Sequence, residues 1–399
     1  MPANHPDRLT IAVVTETYPP EINGVANTMR QLVEGLRRCG HQVIVVRPRQ
    51  RADRRLGKSS PQHFLVPGLP IPGYRDLRFG LPVFWRLRHL WRHQRPDAVY
   101  VATQGPLGHA ALNSARAEDI AVVTGFHTQF PQYSRHYGLG LLMRPIVRSL
   151  RHFHNRSDGT LVPTSELEQQ LDEDGFRNVH VFSRGVDTAL FAPEHRSDAL
   201  RQYWGCDDAS VVALYVGRIA AEKNIGLARD AFDAMTAANA RARCVLVGDG
   251  PELARLRRSR PDYVFTGAKV GEELARHYAS ADCFIFPSLT ETFGNVVPEA
   301  MASGLSVVAF DYAAAHENID TGQNGVLVPV ADRAAFIDAT VAATSDCDRL
   351  RRMGAQARQT AETLNWDRVI GGVEQRLREV IRHHADARGR HEIMAATTK

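Results

Sequence analysis

At 399 residues the chain exceeds the roughly 250 to 300 over which a single core usually stops growing, so its length points to two domains. With 44% hydrophobic and 23% charged residues the composition excludes a disordered chain, and five scattered cysteines with no Cys-x-x-Cys exclude a disulfide framework or a zinc site. A formal charge of +5 favours anionic partners, but the basic residues are spread over many segments, so nucleic acid is not an expected partner.

The first residues, MPANHPDRLTIAVVTETYPP, carry too short an apolar run for a signal peptide, and no later run approaches the ~18 residues of a membrane span. The expectation is a cytoplasmic protein. LTIAVVTETYPP reads as a buried strand ended by prolines, and NGVANTMRQLVEGLRRCG continues with helical periodicity at Val25, Met29, Leu32, Val33 and Leu36 up to Gly40. With HQVIVVRP as the next strand this is a βαβ unit, and the near-continuous apolar strands imply a parallel sheet covered on both faces. Gly24 stands between the first strand and its helix, where the lack of a Cβ either lets a phosphate approach or merely eases the turn. Neither this stretch nor VGDGPEL is G-x-G-x-x-G, so the fingerprint of a nicotinamide dehydrogenase is absent.

Two segments, GLPVFWRLRHLWRHQRP and GLGLLMRPIVRSLRHFHNR, combine basic and apolar residues. They predict helices that either pack Phe84, Leu87 and Leu90 inward with their arginines wet, or lie on an anionic membrane surface. Further strands are predicted at Ala98 to Val101, Ile120 to Gly125 and Gly159 to Val162. His127, in TGFHTQFPQY, falls just past one of them at the carboxyl edge of the sheet, and this position singles it out among 17 histidines as able to bond a substrate hydroxyl or assist a leaving group.

SRGVDTALFAPEHRSDALRQYWG is polar and punctuated by Pro and Gly, which sets a domain boundary near Ser183 to Asp198. After it the same grammar restarts in SVVALYVGRIAAEKN, IGLARDAFDAM, ARCVLVGDG, YVFTGA, CFIFPS and SVVAF, so two Rossmann-like α/β units are expected in tandem, over 1–190 and 191–364. A last helical pattern runs from about Trp366 to His384, within 365–399.

In YVGRIAAEKNIG a buried strand ends at Gly217, and Arg218 and Lys223 follow where parallel sheets bind ligands. Two cations there can neutralise a diphosphate, or simply face solvent. SLTETFGNVVPEAMASG sets Glu291 and Glu299 in a stretch without any basic residue, so neither acid has a local counter-charge. Pro298 and Gly304 bracket a short helix from about Val297 to Ser303, whose N-terminus suits an anionic group. Glu291 and Glu299 can both accept hydrogen bonds from sugar or ribose hydroxyls; a helix-capping acid and a solvated loop acid are the alternative.

In this order TETYPPEINGVANT, GFHTQFPQY, YVGRIAAEKNIG and SLTETFGNVVPEAMASGLSVVA, with HNRSDGTLVPT, SRGVDTALFAP and GDGPEL between them, resemble the family 4 retaining glycosyltransferases of the GT-B fold over almost the whole chain. The resemblance implies an α/β fold of two Rossmann-like domains facing a central cleft, with acceptor on the first, nucleotide sugar on the second and the last helix crossing back to the first. Residue by residue it implies Arg218 and Lys223 on the diphosphate, Gly24 at the donor phosphate and Glu291 on the transferred sugar. It further implies Glu299 on the ribose, His127 near the C6 hydroxyl and the acceptor, and backbone N–H groups of Phe293, Gly294, Asn295 and Val296 toward sugar and phosphate. No cofactor or metal is implied, and no Asp-x-Asp lies in the context usual for metal-dependent transferases. The detailed likeness is to bacterial GDP-mannose-dependent α-mannosyltransferases and related glycolipid transferases. The expected reaction is transfer of mannose from GDP-mannose to a glycolipid or lipid-linked acceptor by a protein peripheral to the membrane; a UDP-hexose donor, and a phosphorylase or epimerase of the same fold, are the alternatives.

Overall fold

The computed structural model describes residues 8–21, 23–50, 53, 62–71, 74–127, 143–207 and 209–397. TGFHTQFPQY beyond His127 and the opening of the second basic segment lie outside them. The chain divides into two units, one made of Met1–Ser183 with Asp367–Lys399 and the other of Arg184–Trp366.

The first unit contains β1 (Thr10–Val14), β2 (Gln42–Pro48), β3 (His63–Val66), β4 (Gly68–Ile71), β5 (Tyr74–Gly80), β6 (Ala98–Val101), β7 (Ala121–Gly125), β8 (Gly159–Val162) and β9 (Val179–Val181). Seven of them form a parallel sheet of order β3-β2-β1-β6-β7-β8-β9, and β4 and β5 pair antiparallel as a separate hairpin. Ile11, Ala12, Val13 and Val14 are all buried because helices cover both faces, which is why the run shows no alternation. The strands β3, β4, β5 and β9 were not anticipated: PGLPIP breaks the pattern with prolines, which edge strands tolerate, and β9 is only three residues long.

The first basic segment forms a helix over Phe84–Gln94 that buries Leu87 and Trp91, the latter donating from Nε1 to Ser114 Oγ at 2.8 Å. Phe84 and Leu90 are half-buried, whereas Trp85 stands 74% exposed. A second amphipathic helix, Met143–His154, buries Leu150 and Phe153 while Arg144 and Arg148 face water.

The second unit contains β10 (Val211–Val216), β11 (Ala242–Val247), β12 (Val264–Gly267), β13 (Cys283–Phe286), β14 (Ser306–Phe310) and β15 (Gly325–Val328), all parallel in the order β12-β11-β10-β13-β14-β15. Along β10, Val211, Ala213 and Tyr215 enter one core with Phe232 and Phe336, while Val212, Leu214 and Val216 enter another with Phe284 and Met301. The period-2 alternation therefore sorts side chains between two apolar layers.

The final helix, Trp366–Thr397, runs past the predicted end at His384, because its apolar stripe fades there without any Pro to stop it. It docks on the first unit: Glu374 Oε1 lies 3.3 Å from His41 Nε2, and His384 sits between Asp158 at 3.2 Å and Asp119 at 3.3 Å. Gly35 admits the closest approach, since a Cβ there would stand 2.5 Å from Ile370 Cγ1.

Candidate active site

Strand order in the second unit reverses between β10 and β13, and the carboxyl ends of such neighbours are where open α/β sheets hold ligands. After β10 the chain makes a 3-10 turn over Ala221–Lys223, and after β13 it forms the loop that carries Glu291. The two loops meet. Lys223 Nζ is 2.6 Å from Glu291 Oε1, Ser288 Oγ donates to the same oxygen at 2.8 Å, and the Tyr312 hydroxyl donates to the Glu291 carbonyl at 2.7 Å. Two further bonds staple the loops: Thr290 Oγ1 donates to the Glu222 carbonyl at 2.7 Å, and Asn224 Nδ2 to the Pro287 carbonyl at 3.2 Å.

Arg218 is drawn into this group through Glu222, whose Oε1 lies 2.7 Å from its guanidinium, while its carbonyl accepts from the Tyr215 hydroxyl at 3.0 Å. Burial pushes the Tyr215 pKa up, and the carboxylates of Glu291 and Glu222 push it further, which keeps the hydroxyl a donor.

Gly294 has φ +92, a conformation L side chains rarely adopt, and it turns the chain from the Glu291 loop into the helix Val296–Ala302. That helix begins one residue before the predicted Val297. Glu299 in its first turn bonds elsewhere than Glu291: the Tyr278 hydroxyl donates to Glu299 Oε2 at 3.1 Å. Burial raises the Glu299 pKa to about 7, and the Tyr278 bond pulls it partly back. Tyr278 is itself wedged edge-on between Phe191 and Phe284, with ring centroids at 5.7 and 5.8 Å.

In the first unit Gly24 opens the helix Gly24–Arg38 and is exposed. Asn23 caps that helix by accepting from Ala26 N at 2.8 Å and steadies the preceding loop by donating to Thr17 Oγ1 at 2.7 Å. His127 follows β7, is buried, and shares a 2.8 Å hydrogen bond between Nε2 and the Tyr100 hydroxyl.

Three polar residues escaped the sequence reading. Glu16 follows β1 beside the point where the first sheet's order reverses, and its Oε1 accepts from Leu107 N at 3.2 Å. Burial raises its pKa to about 7 against the backbone N–H bonds of Leu107 and Gly80. An acid directly after a buried strand, in TETYPP, was the available signal. Glu222 was detectable as the residue four positions after Arg218. Tyr278 had no such signal, because nothing in ARHYASADC connects it to Glu299.

Residues 22–190 match the family described as Glycosyltransferase Family 4, and residues 210–346 match Glycosyl transferases group 1. A GDP-mannose-dependent alpha-mannosyltransferase of Mycobacterium tuberculosis is 35% identical over 391 residues, covering 97% of this chain and 99% of that protein. The chain belongs to glycosyltransferase family 4. The sulfoquinovosyl transferase SQD2 of Arabidopsis thaliana is a further relative of this transferase, 29% identical with 89% and 71% of the two chains covered. Among solved structures, sucrose-phosphate synthase from Thermosynechococcus elongatus superimposes with a TM-score of 0.75 at 18% identity, over 94% of this chain and 100% of that one. At that identity the likeness speaks for the fold, two Rossmann-like units of the GT-B class. Among the described residues no helix of the transferase is long and apolar enough to cross a membrane.

Proposed function

We propose that the transferase moves mannose from GDP-mannose to a glycolipid or lipid-linked acceptor with retention of anomeric configuration. The observation that carries this reading is the meeting of Lys223, Glu291, Arg218 and Glu222 at the carboxyl ends of β10 and β13, in a chain 35% identical to a protein named for that donor. Arg218 and Lys223 take up the negative charge that grows on the departing diphosphate, the task a divalent metal performs in other transferases. The N–H groups of Phe293, Gly294, Asn295 and Val296 support the sugar and phosphate. Glu291 accepts from hydroxyls of the transferred sugar and Glu299 from those of the ribose. Gly24 lets the backbone approach the donor phosphate, and His127 serves the C6 hydroxyl and the acceptor. The acceptor oxygen then attacks the face that the nucleotide leaves, which preserves configuration.

In this reading residues 1–190 bind acceptor, 191–364 bind donor, and 365–399 return to the acceptor domain. A glycolipid acceptor fits a protein that rests on the cytoplasmic face of a membrane through exposed Trp85 and the arginines of Phe84–Gln94 and Met143–His154.

The test is transfer from radiolabelled GDP-mannose, UDP-glucose and UDP-sulfoquinovose to a membrane lipid extract, with and without EDTA, and NMR of the product's anomeric proton. A mannolipid with an α linkage, formed equally in EDTA, is expected. Transfer only from a UDP sugar supports the second reading, which the sulfoquinovosyl relative favours. Turnover without acceptor, or release of sugar phosphate from glycan and phosphate, supports an epimerase or phosphorylase instead.

A further inference from the structure

We propose that Glu222 is a positioning residue that holds Arg218 as an internal stand-in for the diphosphate, yields it when nucleotide binds, and thereby weakens retention of the departing nucleoside diphosphate. This rests on the donor-site reading above. The geometry assigns Glu222 the fixed half of the pair and Arg218 the moving half. The Glu222 side chain is 12% exposed and its backbone carbonyl is tied to Thr290 Oγ1 at 2.7 Å, whereas the Arg218 side chain is 47% exposed. The Glu222 carboxylate at 2.7 Å therefore occupies a guanidinium edge that a diphosphate would also seek with two parallel hydrogen bonds.

Charge completes the argument. Arg218 faces Glu222 and Lys223 faces Glu291, so two cations and two carboxylates cancel at the ends of β10 and β13. Without Glu222 the Arg218 guanidinium would lose one anion that competes for it and would grip the nucleoside diphosphate product as firmly as the transition state. Interactions equally strong in bound and transition states do not raise turnover, and release of product limits many enzymes that close over charged ligands. A carboxylate that reclaims Arg218 shifts the balance toward release.

The experiment is calorimetric titration of GDP and UDP into wild type, Glu222→Gln, Glu222→Asp and Arg218→Gln, and into the double variant of Arg218→Gln with Glu222→Gln, alongside steady-state and rapid-quench turnover. Glu222→Gln should bind the nucleotide about threefold to fivefold more tightly, the span of a partly exposed ion pair. Its kcat and donor KM should fall together, with a burst of product in the first turnover. Glu222→Asp should restore wild-type values, and with Arg218→Gln present the Glu222→Gln change should tighten nothing. In the wild type, the Arg218 guanidinium resonance should shift on saturation with GDP as one anion replaces another, a readout that needs no variant to fold. Unchanged or weaker binding by a folded Glu222→Gln, tightening that survives Arg218→Gln, or an unmoved Arg218 resonance overturns the proposal. A wild type that binds neither GDP nor UDP overturns the donor-site reading along with it.

Discussion

Lys223 Nζ stands 2.6 Å from Glu291 Oε1 although 68 positions separate them, because β10 and β13 are adjacent in the second sheet. The cation expected on the diphosphate and the acid expected on the sugar are thus counter-charges of each other, each 17% exposed. A ligand entering here meets a pre-formed ion pair rather than two separate charges.

Lys223→Ala and Glu291→Ala should each lower transfer by about 10²- to 10³-fold, the effect of removing one group aimed at developing charge. The double variant should fall far short of the product of the two losses, because residues in contact act as a unit. Initial rates on proteins with unaltered circular dichroism check this, and near wild-type turnover in either single variant removes the site assignment.

The pH dependence follows from Glu299, raised to about 7 by burial from the ordinary 4.5. Between these values the folded protein holds a proton that the unfolded chain has released. This contribution to stability is therefore full below about 4.5 and is lost as pH rises to about 7. Glu299→Gln should flatten that fall in melting temperature between pH 5 and 8, and Glu16→Gln should do the same independently, since Glu16 is raised to the same value. On the proposed contact of Glu299 with the ribose, the hydroxyls favour the ionised acid, so GDP affinity should rise more steeply from pH 6 to 8 in the wild type than in Glu299→Gln.

Tyr278→Phe keeps the ring between Phe191 and Phe284 but removes the donor to Glu299 Oε2. Loss of a bond that favours the carboxylate should move the midpoint of GDP binding to higher pH, leaving affinity at pH 9 near wild type. A midpoint that does not move would show that Tyr278 only fills space.

Gly35→Ala puts a methyl group 2.5 Å from Ile370 Cγ1. Overpacking of this kind costs about 1–3 kcal/mol, and Ile370→Val in the same chain, which removes the Cδ1 that would lie 2.9 Å from the new methyl, should recover part of it. Thermal unfolding of both variants, with exchange at the amides of Trp366–Thr397, separates loosening of that helix from a change elsewhere.

Trp85→Ala should leave the melting temperature unchanged, because the ring is 74% exposed, and should weaken binding to vesicles rich in anionic lipid. Equal sedimentation of wild type and variant with such vesicles would remove Trp85 from the membrane-facing role.

The alternation of buried strands and helices in both units was legible in the sequence, because parallel strands covered on two faces must be apolar throughout, as Ile11–Val14 and Val211–Val216 are. The sequence also placed Gly24, His127, Arg218, Lys223, Glu291 and Glu299 after or near strand ends, where a one-dimensional pattern of strand, loop and helix suffices. It missed β3, β4, β9 and β15, since proline-interrupted or three- and four-residue edge strands carry little period, and it missed β5, whose YRDLRFG is mostly polar. The partners of these site residues came from contacts between distant segments. That Lys223 neutralises Glu291 depends on β13 lying beside β10, and that Glu299 is raised to about 7 depends on the burial of its helix, partly offset by Tyr278 reaching it from another helix. Strand order and burial are sums over contacts between distant segments, and local periodicity does not carry them.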